Sequence, residues 1–352
     1  MRDPGYNPHI AMVNKATRQL VRHFSLDILQ RTPTPAEVRA CVGFPVDQVA
    51  RRMIDSLEAK EVWVEEELLF FLLLDNFRPH TEAIDSLPRR LHTGSITVHD
   101  AIAEIMMSTG FTLRNPGNDT FVTVVLEQGL GMKVQERKNV STLEAGKKMY
   151  DGYRVRFLRE RGSSQADIIK IVVGRREFTR HLLDRFHNRI MRGPPPKGDE
   201  TEAQIDRVHS DRGAFFSVLI GWLTSEKYAA QMAVKRPRTD NQFIRSLYFD
   251  LLERAPDYQE FRNMRNALLS MADPAPLRSV MAKVILDSGR AKLPEVARGE
   301  EASFVRQAFL RYLGREPTQK EQADFIKVLA KGSARVEHVV RALITSPEYQ
   351  YY

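Results

Sequence analysis

One motif of arginine, proline and glutamate at fixed offsets occurs three times in the chain, and it limits the possible fold more than any other feature. Leu20-Val21-Arg22-His23-Phe24 runs through Ile28-Leu29-Gln30-Arg31-Thr32-Pro33-Thr34 to Glu37. Phe243-Ile244-Arg245 runs through Leu251-Leu252-Glu253-Arg254-Ala255-Pro256-Asp257 to Glu260. Phe304-Val305-Arg306 runs through Tyr312-Leu313-Gly314-Arg315-Glu316-Pro317-Thr318 to Glu321. Self-similarity of this kind marks a repeated supersecondary unit.

Each shared position has a physical reason. Phe304, Val305, Ala308, Phe309, Tyr312 and Leu313 recur at helical spacing, as do Phe243, Ile244, Leu247, Tyr248, Leu251 and Leu252, so each run predicts a helix with one core-facing stripe. A basic residue at the helix end, Arg31, Arg254 or Arg315, suits the negative pole of the helix dipole. Pro33, Pro256 or Pro317 two residues later discourages continuation. Thr34, Asp257 or Thr318, with Glu37, Glu260 or Glu321 three residues on, is an N-cap with a capping-box glutamate and starts a second helix. The spacing therefore predicts a tight helical corner with an Arg–Glu contact in each copy. The pair reads as corner geometry, not as a general acid and base.

The far end of the unit also recurs. Leu329-Ala330-Lys331-Gly332-Ser333 leads to Thr345-Ser346-Pro347-Glu348-Tyr349, and Leu91-His92-Thr93-Gly94-Ser95 leads to Ser108-Thr109-Gly110-Phe111. Similar endings stand at Ser225-Glu226-Lys227-Tyr228 and Arg175-Arg176-Glu177-Phe178. A degenerate copy starts at Phe121-Val122-Thr123-Val124-Val125-Leu126, with Met132 in place of the arginine and Val134 in place of the proline. Its valines would also suit a strand, but helix is the preferred reading.

The third copy, with Gly332-Ser333 and Ser346-Pro347-Glu348-Tyr349, resembles the helical repeat shared by phycobilisome linker domains and a related repeat of unknown function in bacterial surface and secreted proteins. The likeness covers 302–352 best, then 243–290, then 121–178. The segment from Val21 to Trp63 separately resembles a helical domain of large planctomycete proteins of unknown function. The resemblance implies an assembly role without chemistry of its own; it is specific for a fold and says little of function.

The expected architecture is all-α, as tandem two-helix modules in two helical domains. Residues 1–18 are expected to form an N-terminal tail, and 19–192 an N-terminal domain with modules near 20–112 and 121–190. The prolines of 193–200 suggest a linker, because consecutive prolines cannot continue a helix. A C-terminal domain over 201–352 would begin with a helix near 201–230 and hold modules near 243–290 and 302–352.

The chemistry expected of the chain is sparse. A single cysteine, Cys41, among 352 residues permits no internal disulfide and no cysteine-based zinc or iron–sulfur site. The histidines include no HExxH pair, and no Walker loop, dinucleotide loop or GxSxG elbow is present. No catalytic, cofactor-binding or metal-binding residue is assigned. Asn115-Pro116-Gly117-Asn118-Asp119-Thr120 reads as a turn before a helix. The basic doublets Arg89-Arg90, Lys147-Lys148 and Arg175-Arg176 read as solvated helix surface. Trp63 and Trp222 read as core residues, whereas Tyr349, Tyr351 and Tyr352 read either as a candidate docking tail or as a segment packed back on the last module. The longest apolar block, Leu68 to Leu74, is too short to span a bilayer, and the polar N-terminus carries no secretory pattern, so a cytoplasmic location is expected. The leading functional reading is a non-enzymatic scaffold or linker subunit that holds other proteins in a larger bacterial assembly. A net charge of +8 and the run Lys235-Arg236-Pro237-Arg238 make a nucleic-acid-binding helical protein the alternative.

Overall fold

The computed structural model describes residues 8–72, 78–332 and 335–352, with side chains from residue 16 onward. The chain is all-α: 70 % is helical, and the sheet among the described residues is one antiparallel hairpin, Val155–Phe157 with Glu160–Gly162. Leu158 and Arg159 at its tip both take the left-handed conformation that a two-residue hairpin turn requires. No described helix is long and apolar enough to cross a membrane.

The chain forms two compact units, and neither follows the expected division. One comprises residues up to Val49 together with Ala230–Tyr352; the other is the continuous stretch Ala50–Ala229. The expected linker at 193–200 therefore lies inside a unit. Its prolines do interrupt the helices, but the helix that follows, Asp199–Ser210, folds back on Arg176–Met191. Arg176 donates to Glu202 at 2.9 Å and to Asp206 at 2.5 Å, Arg180 donates to Glu202, and the imidazole Nδ1 of His187 meets the Gly193 carbonyl at 2.7 Å. The expected tail is also shorter, since the first helix is Pro8–Phe24. The single helix expected near 201–230 is instead Asp199–Ser210, Phe215–Leu223 and Glu226–Gln231. Asp211 ends the first by capping a short turn through the Gly213 amide, and Ser225 separates the other two.

The continuous unit is built on aromatic packing. Trp63 stacks on Phe186 and meets Phe215 edge-on, while Trp222 donates its indole N–H to Gln204 at 2.9 Å, so both tryptophans are core residues as expected. The degenerate copy is a helix, Gly117–Leu130, ended by Gly131 at φ +63°. A Cβ on Gly131 would stand 2.8 Å from His181 Nδ1, so this corner is a close approach of backbone to imidazole in place of an Arg–Glu pair. Of the apolar block, Leu68–Leu72 closes the buried helix Leu57–Leu72; Leu73 and Leu74 lie outside the described residues.

The three well-formed copies share the other unit. Their first helices are Pro8–Phe24, Asp240–Leu252 and Glu301–Ala308; the first and third continue as single π-turns, Ser25–Leu29 and Phe309–Leu313. Their second helices are Pro35–Ala40, Tyr258–Leu269 and Gln319–Ala330. Phe24, Phe243, Leu247, Leu251, Val305 and Phe309 fill the core at 0–1 % exposure, each contributing about 1.5–3 kcal/mol of burial.

Candidate functional site

The corners repeat atom for atom. The residue before each arginine, Gln30, Glu253 or Gly314, is left-handed at φ 56°, 54° and 73°, which stops the helix and turns the arginine toward the start of the second helix. Arg31, Arg254 and Arg315 then hold Glu37, Glu260 and Glu321 with paired hydrogen bonds of 2.6–2.9 Å. Each arginine also donates through Nη1 to the carbonyl of the following residue. Each glutamate accepts the amide of its N-cap, Thr34, Asp257 or Thr318, whose side chain accepts the glutamate's own amide, so the capping boxes expected from spacing are all present. Pro33, Pro256 and Pro317 stand between arginine and cap in each.

The electrostatics follow from this contact. Hydrogen bonds from Arg254 and Arg315 hold the Glu260 and Glu321 carboxyls at about 2. Burial pushes Glu37 up, but its bonds to Arg31 outweigh this and leave it below the ordinary carboxylate range. A carboxylate fixed so firmly as an anion neither gives nor takes a proton near neutrality, and it serves as a joint.

Around the joint the copies differ. Arg315 and Arg254 lie over the rings of Phe309 and Tyr248 in their own first helices, six residues upstream. The first copy has Ser25 there, and Arg31 lies instead over Phe249 of the second copy, 4.0 Å from the ring centroid. The Thr32 hydroxyl donates to Asp250 at 2.8 Å, and its amide donates to the Ser246 hydroxyl. Arg22, Arg245 and Arg306 share an offset but not a role. Arg22 is buried and donates to the carbonyls of Arg311 and Tyr312, Arg245 is buried beside the Phe261 ring, and Arg306 pairs with Glu316 in the open.

The tyrosine segment does not project. Tyr349 and Tyr352 are buried and only Tyr351 is exposed, which corrects the docking tail expected from sequence. The Ser346 hydroxyl accepts the Tyr349 amide and bonds the Leu343 carbonyl, turning the chain back on itself, as Ser108 does before Phe111 and Ser225 before Tyr228. The Tyr349 hydroxyl donates to Asp250 at 2.8 Å and that of Tyr352 to Asp27 at 2.6 Å, the two aspartates standing four residues before the corner arginines of the second and first copies. Backbone bonds join Arg236 to Tyr352 in both directions and Arg238 to Gln350.

That pairing also accounts for the basic run. Arg236 is ion-paired to Asp27, Arg238 is 1 % exposed over the Tyr349 ring, and Lys235 lies 3.5 Å from Glu348. Of the basic doublets, Arg90 binds Glu104, Lys147 binds Asp119 and Glu144, Arg175 binds Glu177 and Arg176 binds Glu202 and Asp206. Asn115 is buried and caps the Phe111 carbonyl, and the helix Gly117–Leu130 starts two residues later, so the run is a turn at Asn115-Pro116 leading straight into a helix. Among the described residues no group of three or more His, Cys, Asp or Glu could hold a metal ion.

No family model, no curated protein and no solved structure matches the chain.

Proposed function

We propose that this protein is a non-enzymatic scaffold or linker subunit whose helical modules hold other proteins in a larger bacterial assembly. The observation that carries the reading is the thrice-repeated corner, in which the most conspicuous charged residues of the sequence are engaged with one another as joints. Repeated helix pairs offer extended surface for partners. Val280 and Val284, one turn apart on the helix Ala275–Asp287, leave an apolar strip facing solvent at 52 % and 61 % exposure, and Val42, Phe44 and Val46 are exposed together beyond the first corner. The likeness of the third copy to linker-domain repeats points the same way.

Nucleic-acid binding, motivated by the net charge of +8 and the run Lys235-Arg236-Pro237-Arg238, is the alternative, and of that run Arg236 and Arg238 are turned inward while Lys235 is exposed. Isolation of the protein at native abundance after chemical crosslinking tests the first reading. A complex of fixed stoichiometry is expected; a monomer that crosslinks to nothing overturns it. Filter binding to DNA and RNA across a salt series tests the alternative, which requires affinity that falls steeply as salt rises.

A further inference from the structure

Five arginines line one pocket between the first and third copies. Arg18 and Arg22 come from the first helix, Arg39 from the helix after the first corner, and Arg306 and Arg311 from the third copy; the cavity measures about 310 Å³. A pocket of this size is at the lower end for a small-molecule site. Pro33, Pro35 and Val38 give it an apolar wall.

The charge in this pocket is unevenly compensated. Arg306 is paired to Glu316, and Arg311 has Glu253 at 3.7 Å and Asp250 at 3.9 Å. Arg22 is 6 % exposed, and its acceptors are two neutral backbone carbonyls at 3.1 and 2.9 Å. No described carboxylate forms an ion pair with Arg18, Arg22 or Arg39. Burial and the neighbouring Arg238 lower Arg22 to about 10 against the opposing pull of Asp250, Tyr349 and Glu348, the direction in which an arriving anion would give relief. Arg22 passes close over Gly314, where a Cβ would stand 2.7 Å from its Cδ and Nε.

From this geometry we infer that the pocket is a binding site for a small organic phosphate, with the phosphate held by Arg18, Arg22 and Arg39 and the organic portion against Pro33 and Pro35. Guanidinium forks match phosphate oxygens in pairs. Three cations without a direct ion-pair partner call for more than the single charge of a monocarboxylate, and a phosphate monoester brings close to two. The apolar wall accounts for a body larger than the inorganic ion. This site lies beyond the scaffold reading and does not depend on it.

Calorimetric titration of the full chain with adenosine monophosphate, inorganic phosphate, pyrophosphate and citrate, at one ionic strength set with chloride, tests the site. Saturable binding of adenosine monophosphate at one per chain is expected, at least tenfold weaker in Arg18→Gln and in Arg39→Gln, and unchanged in Arg51→Gln of the other unit. Both test positions lack a described ion-pair partner, so circular dichroism should show native helix content in each variant. Arg39 is the more exposed of the two, and its variant alone suffices if the other misfolds. Inorganic phosphate or pyrophosphate binding with the same dependence on Arg39 supports the site with the free anion as its source. The inference is overturned if no phosphate-bearing probe gives a saturable heat, if Arg39→Gln binds like the parent, or if citrate binds more tightly than every phosphate.

Discussion

Arg31 and Arg254 hold their glutamates through like hydrogen bonds, but one side chain is 3 % exposed and the other 44 %. The difference sets the energies. Glu37→Gln removes the charge that buried Arg31 grips with paired bonds and should lower stability by about 2–4 kcal/mol, whereas Glu260→Gln weakens the pair of an exposed arginine and should cost about 1 kcal/mol or less. Urea unfolding of the two variants compares them directly, and equal midpoint shifts would contradict the assignment. Tyr352→Phe removes the hydroxyl that donates to buried Asp27 and accepts from Gln242. Asp27 keeps Arg236, so a loss of about 1–2 kcal/mol is expected by the same measurement.

At the scale of the element, each second helix begins with a reciprocal cap. Thr318→Ala should cost about 1 kcal/mol and Thr318→Ser much less, because serine retains the oxygen that accepts the Glu321 amide. The contact between copies is sharper still. Gly314→Ala places a methyl against Arg22 on top of a left-handed backbone, and should cost more than Gly94→Ala, which has a similar φ but open space around it. Thermal unfolding of the pair should rank them in that order. These comparisons also mark what could be read from residues alone. The corner was legible because arginine, proline, cap and glutamate lie within seven positions and satisfy one another. The burial of Tyr349 and Tyr352 was not, since their partners, Asp250 and Asp27, lie 99 and 325 positions away. Nor was the arginine pocket, since the offset that gives Arg22, Arg245 and Arg306 one label carries no information about which of them is buried. The division of the chain was misread for a related reason: prolines reveal where a helix ends, not where the chain goes next.

For the molecule as a whole, acid should act first on the continuous unit. Burial lowers His99 to about 4, and burial with the nearby Arg185 lowers His181 to about 4. An unfolded histidine titrates near 6.5, so between those values the unfolded chain binds more protons and stability falls as pH falls; above 6.5 the contribution is fully present. The two groups together account for roughly 3–5 kcal/mol over that window, while Asp184, raised by burial, acts in the opposite sense. Urea midpoints at pH 7.5, 6 and 5 should decline stepwise, and His181→Asn should flatten the decline; a midpoint constant over this range would refute the mechanism. The other unit is sewn from both ends of the sequence, with Tyr352 fastened to Asp27 and to Arg236. During synthesis the stretch from Ala50 to Ala229 has every one of its own residues before the rest of that second body has been translated. The early helix with its aspartate must wait, unfinished, through some three hundred further residues. Nascent chains of this protein should therefore protect the middle of the polypeptide from protease well before they protect its beginning.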